Sequence, residues 1–78
     1  MTFGNGEVSL IAVELPVAFS GRLVRDLTVP GEVNVVAITR DEMGIVPTTG
    51  TELRAGDVLH LAVLASAMER VEVLLGGY

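Results

Sequence analysis

Glu32-Val33-Asn34-Val35-Val36-Ala37-Ile38-Thr39-Arg40 is the stretch on which the reading of this fold turns. Five of its nine residues are β-branched, and such side chains fit a pleated, half-buried surface better than a helix. Alternation puts Val33, Val35 and Ala37 on one face and Asn34, Val36 and Ile38 on the other. Both faces are largely apolar, which predicts a central strand covered on both sides. Pro30-Gly31 is the turn that feeds it. Asp41-Glu42-Met43-Gly44 reads as a hairpin loop after it, with Gly44 supplying a positive φ. Ile45-Val46 then begins a return strand, and Pro47 limits it.

Working outward, Glu7 to Leu15 alternates Val8, Leu10 and Ala12 against Glu7 and Ser9, a strand that Pro16 ends. Ser20-Gly21-Arg22-Leu23-Val24-Arg25-Asp26-Leu27 predicts a helix of about two turns. Ser20 is its cap, Leu23, Val24 and Leu27 its inner face, and Arg22, Arg25 and Asp26 its outer face. Thr48-Thr49-Gly50-Thr51 is a polar loop, and Leu53 is the apolar anchor before a second turn, Arg54-Ala55-Gly56-Asp57. Val58 to Leu64 is a final strand, almost wholly apolar. Ser66 and Glu69 have the spacing of a capping box. The helix they open carries Ala67, Val71, Leu74 and Leu75 inward and stops at Gly76-Gly77. The prediction is an α+β class fold, a small β-α-β-β-β-α domain with an antiparallel-type sheet over residues 7–78. Residues 1–6 are expected to be a flexible N-terminal segment.

The whole chain has 78 residues, half of them apolar, with no cysteine, no tryptophan and one histidine. A domain this short buries only roughly 60 % of its unfolded surface. Disulfides and cysteine-held metals are closed to it, so burial against a second chain or domain is a physical expectation. Ten acids against five arginines give a net charge of −5. That balance excludes a general nucleic-acid surface, while leaving room for one small anion held by a local arginine pair. Residues 1–6 show neither a basic nor an apolar signal region, and the apolar run Val58 to Met68 is far short of the ~20 residues a bilayer crossing needs. The chain is therefore expected to be soluble, with no direct membrane insertion.

Chemistry-bearing clusters are few. One histidine and scattered carboxylates assemble no zinc site, and Asp41-Glu42 lacks the alternating ligands of a calcium loop. His60 is the one imidazole base. It sits mid-strand between Leu59 and Leu61, and Asp57, three residues away, falls on the opposite strand face. Gly4-Asn5-Gly6 precedes a strand instead of following one, which excludes a phosphate loop. The reading is non-catalytic.

The ordered set Asn34 to Arg40, then Pro47, then Leu53-Arg54-Ala55-Gly56-Asp57-Val58-Leu59 resembles the C-terminal module of potassium-transport regulators, the TrkA-C or RCK-C domain. Its pattern is a hydrophobic strand, Ile-x-Arg, a turn, a proline and Leu-x-x-Gly-Asp-x-Leu. Upstream, Ser20-Gly21-Arg22-Leu23-Val24-Arg25-Asp26-Leu27 resembles the family's "Gly-x-x-Leu-x-x-Leu" helix. The match runs from about Val8 to Leu75. It implies an α+β domain that pairs as a homodimer and follows a nucleotide-binding domain in a full-length regulator. Such a regulator is cytoplasmic, peripheral to a membrane potassium transporter subunit that it gates.

The resemblance also implies a ligand. Some family members hold cyclic di-AMP in the dimer cleft, which on this sequence would be formed by Arg22, Leu23, Asn34 and Pro47. Asn34 can donate to and accept from a purine edge. Arg22 or Arg25 can pair a phosphate, and Leu23 and Pro47 can sandwich a base. No other cofactor and no metal is implied. One departure stands out: the link Thr28-Val29-Pro30-Gly31-Glu32 carries an acid where the family's ligand binders often carry a base.

Overall fold

A computed structural model of the chain describes residues 1–76. Five strands, β1 (Thr2–Phe3), β2 (Val8–Glu14), β3 (Val33–Arg40), β4 (Met43–Ile45) and β5 (Val58–Leu64), precede one α-helix, α1 (Met68–Leu75). They form a single antiparallel sheet in the order β1-β2-β5-β3-β4. The last strand is therefore the central one. β5 is paired along both edges, with β2 from Val8↔Leu64 to Glu14↔Val58 and with β3 from Val33↔Val63 to Thr39↔Val58.

The sheet is covered on one face only. Val13, Val33, Val35, Ile38, Leu59, Leu61 and Val63 point into the core, where they meet Val24, Leu27, Leu53, Ala67, Val71 and Leu75. The other face of β3 stays open, so the expectation of a strand covered on both sides is corrected. The reason is a bulge. Val35 pairs with Leu61 and Ala37 with His60, the very next residue along β5, which leaves Val36 as the extra residue. A bulge shifts the side-chain alternation by one. Ile38 thereby joins Val33 and Val35 in the core at 0 % exposure, and Ala37 moves to the open face.

Other expectations are corrected by local geometry. Residues 20–27 do not form a two-turn α-helix. The chain makes a short 3-10 turn, Val24–Leu27, and Ser20 does not cap it. Its start is fixed instead by the Leu23 amide, which donates to the Asp26 carboxylate at 3.0 Å. Val24 and Leu27 are buried and Arg22, Arg25 and Asp26 exposed, so the expected faces hold although the helix type does not. The β3–β4 connection is a two-residue turn, Asp41-Glu42, with φ of 49° and 66°. Gly44 lies inside β4, paired with Thr39, so the positive φ falls on the two acids instead.

At the C-terminal end the Ser66–Glu69 capping box does not form. A 3-10 turn, Ala65–Ala67, runs directly into α1, so Ser66 lies within the first turn, and no side chain caps either start. Ala67, Val71 and Leu75 face inward at four-residue spacing, while Leu74 is 52 % exposed. Gly76 takes the left-handed conformation (φ 76°) and its amide donates to the Glu72 carbonyl, which ends the helix as expected. Gly77 lies outside the described residues. At the other end, Thr2 and Phe3 pair with Ser9 and Val8, a strand that the sequence reading does not contain.

Candidate functional site

The candidate residues are best placed by the loop that joins β4 to β5. Residues 49–53 run antiparallel to residues 21–25. The Gly21 amide donates to the Leu53 carbonyl (2.9 Å), Leu53 to Arg22 (2.7 Å), Val24 to Thr51 (2.9 Å) and Arg25 to Thr49 (3.0 Å). Leu23 and Glu52 bridge across the same strap. The sequence allows this because Leu53, fully buried, pins the strap to the core while its threonines stay at the surface. The Thr48 amide donates to the Thr51 hydroxyl at 2.9 Å, closing the turn that Pro47 leads into.

An ion pair locks the strap to the sheet. Arg40 Nε donates to Asp57 Oδ1 at 2.8 Å and Arg40 Nη2 to Asp57 Oδ2 at 2.7 Å, a two-pronged contact of the strongest type. The same Nη2 donates to the Glu52 carbonyl at 2.9 Å, and the Arg54 amide donates to Asp57 Oδ2 at 2.9 Å. Asp57 is fully buried and all its bonds are charge-assisted. The Arg40 guanidinium holds its carboxyl below the ordinary value of 3.8, against the opposing pull of burial. Asp57 in turn raises the pKa of Arg40. The Asp57 carboxylate thus serves both the backbone of its own turn and the side chain of Arg40 at the end of β3.

Arg22 and Leu23 lie on the segment bonded to this strap, Arg22 exposed with its guanidinium 5.4 Å from the centre of the Phe19 ring. Pro47, half-buried, leads into the same loop. Asn34 is elsewhere. It sits exposed near the start of β3, opposite Ala62 on the open face, whereas Arg40, which touches the strap, ends that strand. Six residues of strand separate the two, roughly 20 Å. Within one copy, Arg22 and Leu23 lie against the strap that follows Pro47, while Asn34 lies on the open face of β3. Arg25 also reaches this loop, with Nη2 close to Gly50.

Two further polar contacts bear on the site. Arg70 on α1 pairs with Glu32, so the acid in the link before β3 has a cation beside it. His60 Nε2 lies 2.9 Å from the Thr39 hydroxyl on the open face, across the sheet from Asp57. Among the described residues no three His, Cys, Asp or Glu side chains are placed to share a metal ion.

Comparison with known sequences decides the family. The TrkA-C domain model matches residues 8–76, which takes in β2 through α1. The chain belongs to the TrkA-C domain family. The Trk system potassium uptake protein TrkA of Mycobacterium tuberculosis is 32 % identical over 77 residues, covering 96 % of this chain and 35 % of the relative. The chain thus spans about a third of the length of the curated relatives it matches. Among solved structures, an RCK domain "with cda" is 26 % identical with a TM-score of 0.70, over 86 % of this chain and 97 % of that one. The RCK C domain of the potassium transport protein KtrA, in complex with cyclic diadenosine monophosphate, shares the fold. Its TM-score is 0.74 at 24 % identity, over 87 % of this chain and 84 % of that one. No helix among the described residues of this TrkA-C domain is long and apolar enough to cross a membrane.

Proposed function

We propose that this TrkA-C domain is the non-catalytic regulatory, ligand-sensing and dimerisation module of a cytoplasmic potassium-transport regulator. The observation that carries the reading is the family match, which spans every element from β2 to α1. Its mechanism is a population shift: a ligand that prefers one arrangement of two copies biases the regulator, and through it the membrane transporter subunit. The chain acts as a homodimer, peripheral to the membrane. The division of labour between an N-terminal segment, residues 1–6, and the domain proper from residue 7 belongs to the same proposal. It is supported by a family match that begins at Val8.

A more specific reading makes the domain a cyclic di-AMP receptor. The solved relatives described as ligand complexes favour it. In this reading Arg22 pairs a phosphate, Leu23 and Pro47 hold a base, and Asn34 reads a purine edge. Asn34 lies apart from the other three within one copy, so the cleft is completed by the partner copy. The acid at Glu32 is offset by Arg70, which lowers its repulsion of a dianionic ligand.

Calorimetric titration of the folded chain with cyclic di-AMP, against ATP and NAD as controls, tests the receptor reading. The expected result is saturable heat with cyclic di-AMP alone and its loss in Arg22→Ala. No heat with a chain shown to be folded and dimeric overturns that reading and leaves the regulatory one. Sedimentation at 8.2 kDa at high concentration overturns the homodimer.

A further inference from the structure

Resting on the receptor reading above, we infer that Arg40 is a positioning residue for the ligand. Through the Glu52 carbonyl it fixes the strap against which Arg22 and Leu23 are held, so affinity depends on a side chain that does not itself take up the ligand.

Leu23 and Glu52 face each other as a pair whose two ladder bonds come from their neighbours. The Val24 amide donates to the Thr51 carbonyl (2.9 Å) and the Leu53 amide to the Arg22 carbonyl (2.7 Å). In such a pair the residues' own amides and carbonyls point away from each other. On the Leu23 side those groups are met locally. The Leu23 amide donates to the Asp26 carboxylate (3.0 Å), and the Leu23 carbonyl accepts from the Asp26 amide (2.9 Å). On the far side of the strap, the Glu52 carbonyl accepts from Arg40 Nη2 at 2.9 Å. The strap is thus gripped between residues 21–25 and a side chain that reaches it from the end of β3.

The grip is stiff. Arg40 Nε and Nη2 both hold Asp57, which is fully buried, so the guanidinium cannot swing away without leaving a buried charge unpaired. Asp57 also takes the Arg54 amide. The two charged groups therefore hold residues 52 and 54, on either side of the buried Leu53. Arg40 is only 17 % exposed, with Nε and Nη2 spent inside the chain, so its effect on a ligand passes through the strap. Arg22 is tied to that strap through its own carbonyl. A binding side chain has to stay within ~0.5 Å of its working position, so a strap that shifts carries the site with it.

Arg40→Lys keeps a cation beside Asp57 but loses the planar fork that serves Asp57 and Glu52 together. Leu75→Ala, a core truncation on α1, controls for a general loss of stability. Thermal melts establish folding, and calorimetric titration of the wild type and both variants with cyclic di-AMP is read together with amide hydrogen exchange. Arg40→Lys is expected to bind about tenfold or more weakly, the size of one lost charged hydrogen bond, while Leu75→Ala binds as the wild type does. In Arg40→Lys alone, the Val24, Arg25 and Leu53 amides that bond across the strap exchange faster than the loss of global stability accounts for. Wild-type affinity in Arg40→Lys overturns the inference and leaves the receptor reading standing. Equal weakening in both variants, or weakening with unchanged exchange at the strap, overturns it as well. A wild type that takes up no cyclic di-AMP overturns the receptor reading and the inference with it. If either variant does not fold, the wild type decides. Coupling is reciprocal, so saturating cyclic di-AMP should slow exchange of the Arg40 Nε proton and of the same three amides. Unchanged exchange in a chain that binds the ligand overturns the inference alone.

Discussion

Asp57 has no exposed surface, and Arg40 is what makes its charge tolerable. Removing one partner of a buried ion pair leaves the other charge uncompensated, so Arg40→Met is expected to cost about 3 kcal/mol. Urea unfolding at neutral pH measures it. The same pair sets an acid limit. The folded pKa of Asp57 lies below its ordinary 3.8, so its contribution is complete above that value and is lost as pH falls through the lower folded one. Stability should therefore decline below about pH 4 in the wild type, and that acid-side decline should flatten in Arg40→Met. At this scale the sequence was half legible. Leu53 as an anchor and Asp57 as a turn-former follow from hydropathy and from the Gly56-Asp57 turn. Their joint capture by Arg40 does not, because the ion-pair partners are 17 positions apart in the chain, with β4 and the strap between them.

Among the elements, the β3–β4 hairpin carries the clearest strain. Both central residues of its turn have positive φ, a conformation that Gly, Asn and Asp tolerate and that costs a residue such as Glu42 roughly 1–2 kcal/mol. Replacing Asp41-Glu42 by Asn-Gly should stabilise the domain by about 1 kcal/mol, read as a shift of the denaturation midpoint with unchanged slope. The bulge in β3 makes a second prediction. Ile38→Ala should cost about 3 kcal/mol, as a fully buried residue does, and Val36→Ala under about 1 kcal/mol. Strict alternation through residue 38 would put Ile38 and Val36 on the same face and give them similar costs. β2, β3 and β5 were legible because β-branched residues and hydropathy mark them directly. The bulge was not: Val35-Val36-Ala37 offers apolar side chains to both faces, and only pairing with β5 decides where alternation slips. The first helix was overread for a similar reason. Leu23, Val24 and Leu27 have helical spacing, but the chain is diverted at residues 21–25 into backbone bonds with the strap.

For the whole molecule, the sheet order ranks local stability. β5 has a strand on each side and the core beneath, whereas β1 pairs on one edge over two residues. Native-state hydrogen exchange should find the β5 amides of Leu59, Leu61 and Val63 among the slowest and those of β1 among the fastest. Uniform protection across the sheet would contradict that ranking. The ligand residues were legible only through resemblance. Nothing in composition or spacing links Arg22 to Asn34, and one copy of the fold does not bring them together.

The position of β5 also bears on how the polypeptide leaves the ribosome. Before residues 58–64 emerge, the sheet exists only as two unconnected hairpin ribbons, β1-β2 and β3-β4, each missing the neighbour that completes it. An isolated two-stranded ribbon is marginal in water. The core side chains of Val13, Val35 and Ile38 then have no common surface to close on. Folding of this domain during synthesis consequently waits for β5. Until then β2 and β3 each offer a foreign strand the edge reserved for β5. Shielding of that edge by a chaperone should matter most in this interval.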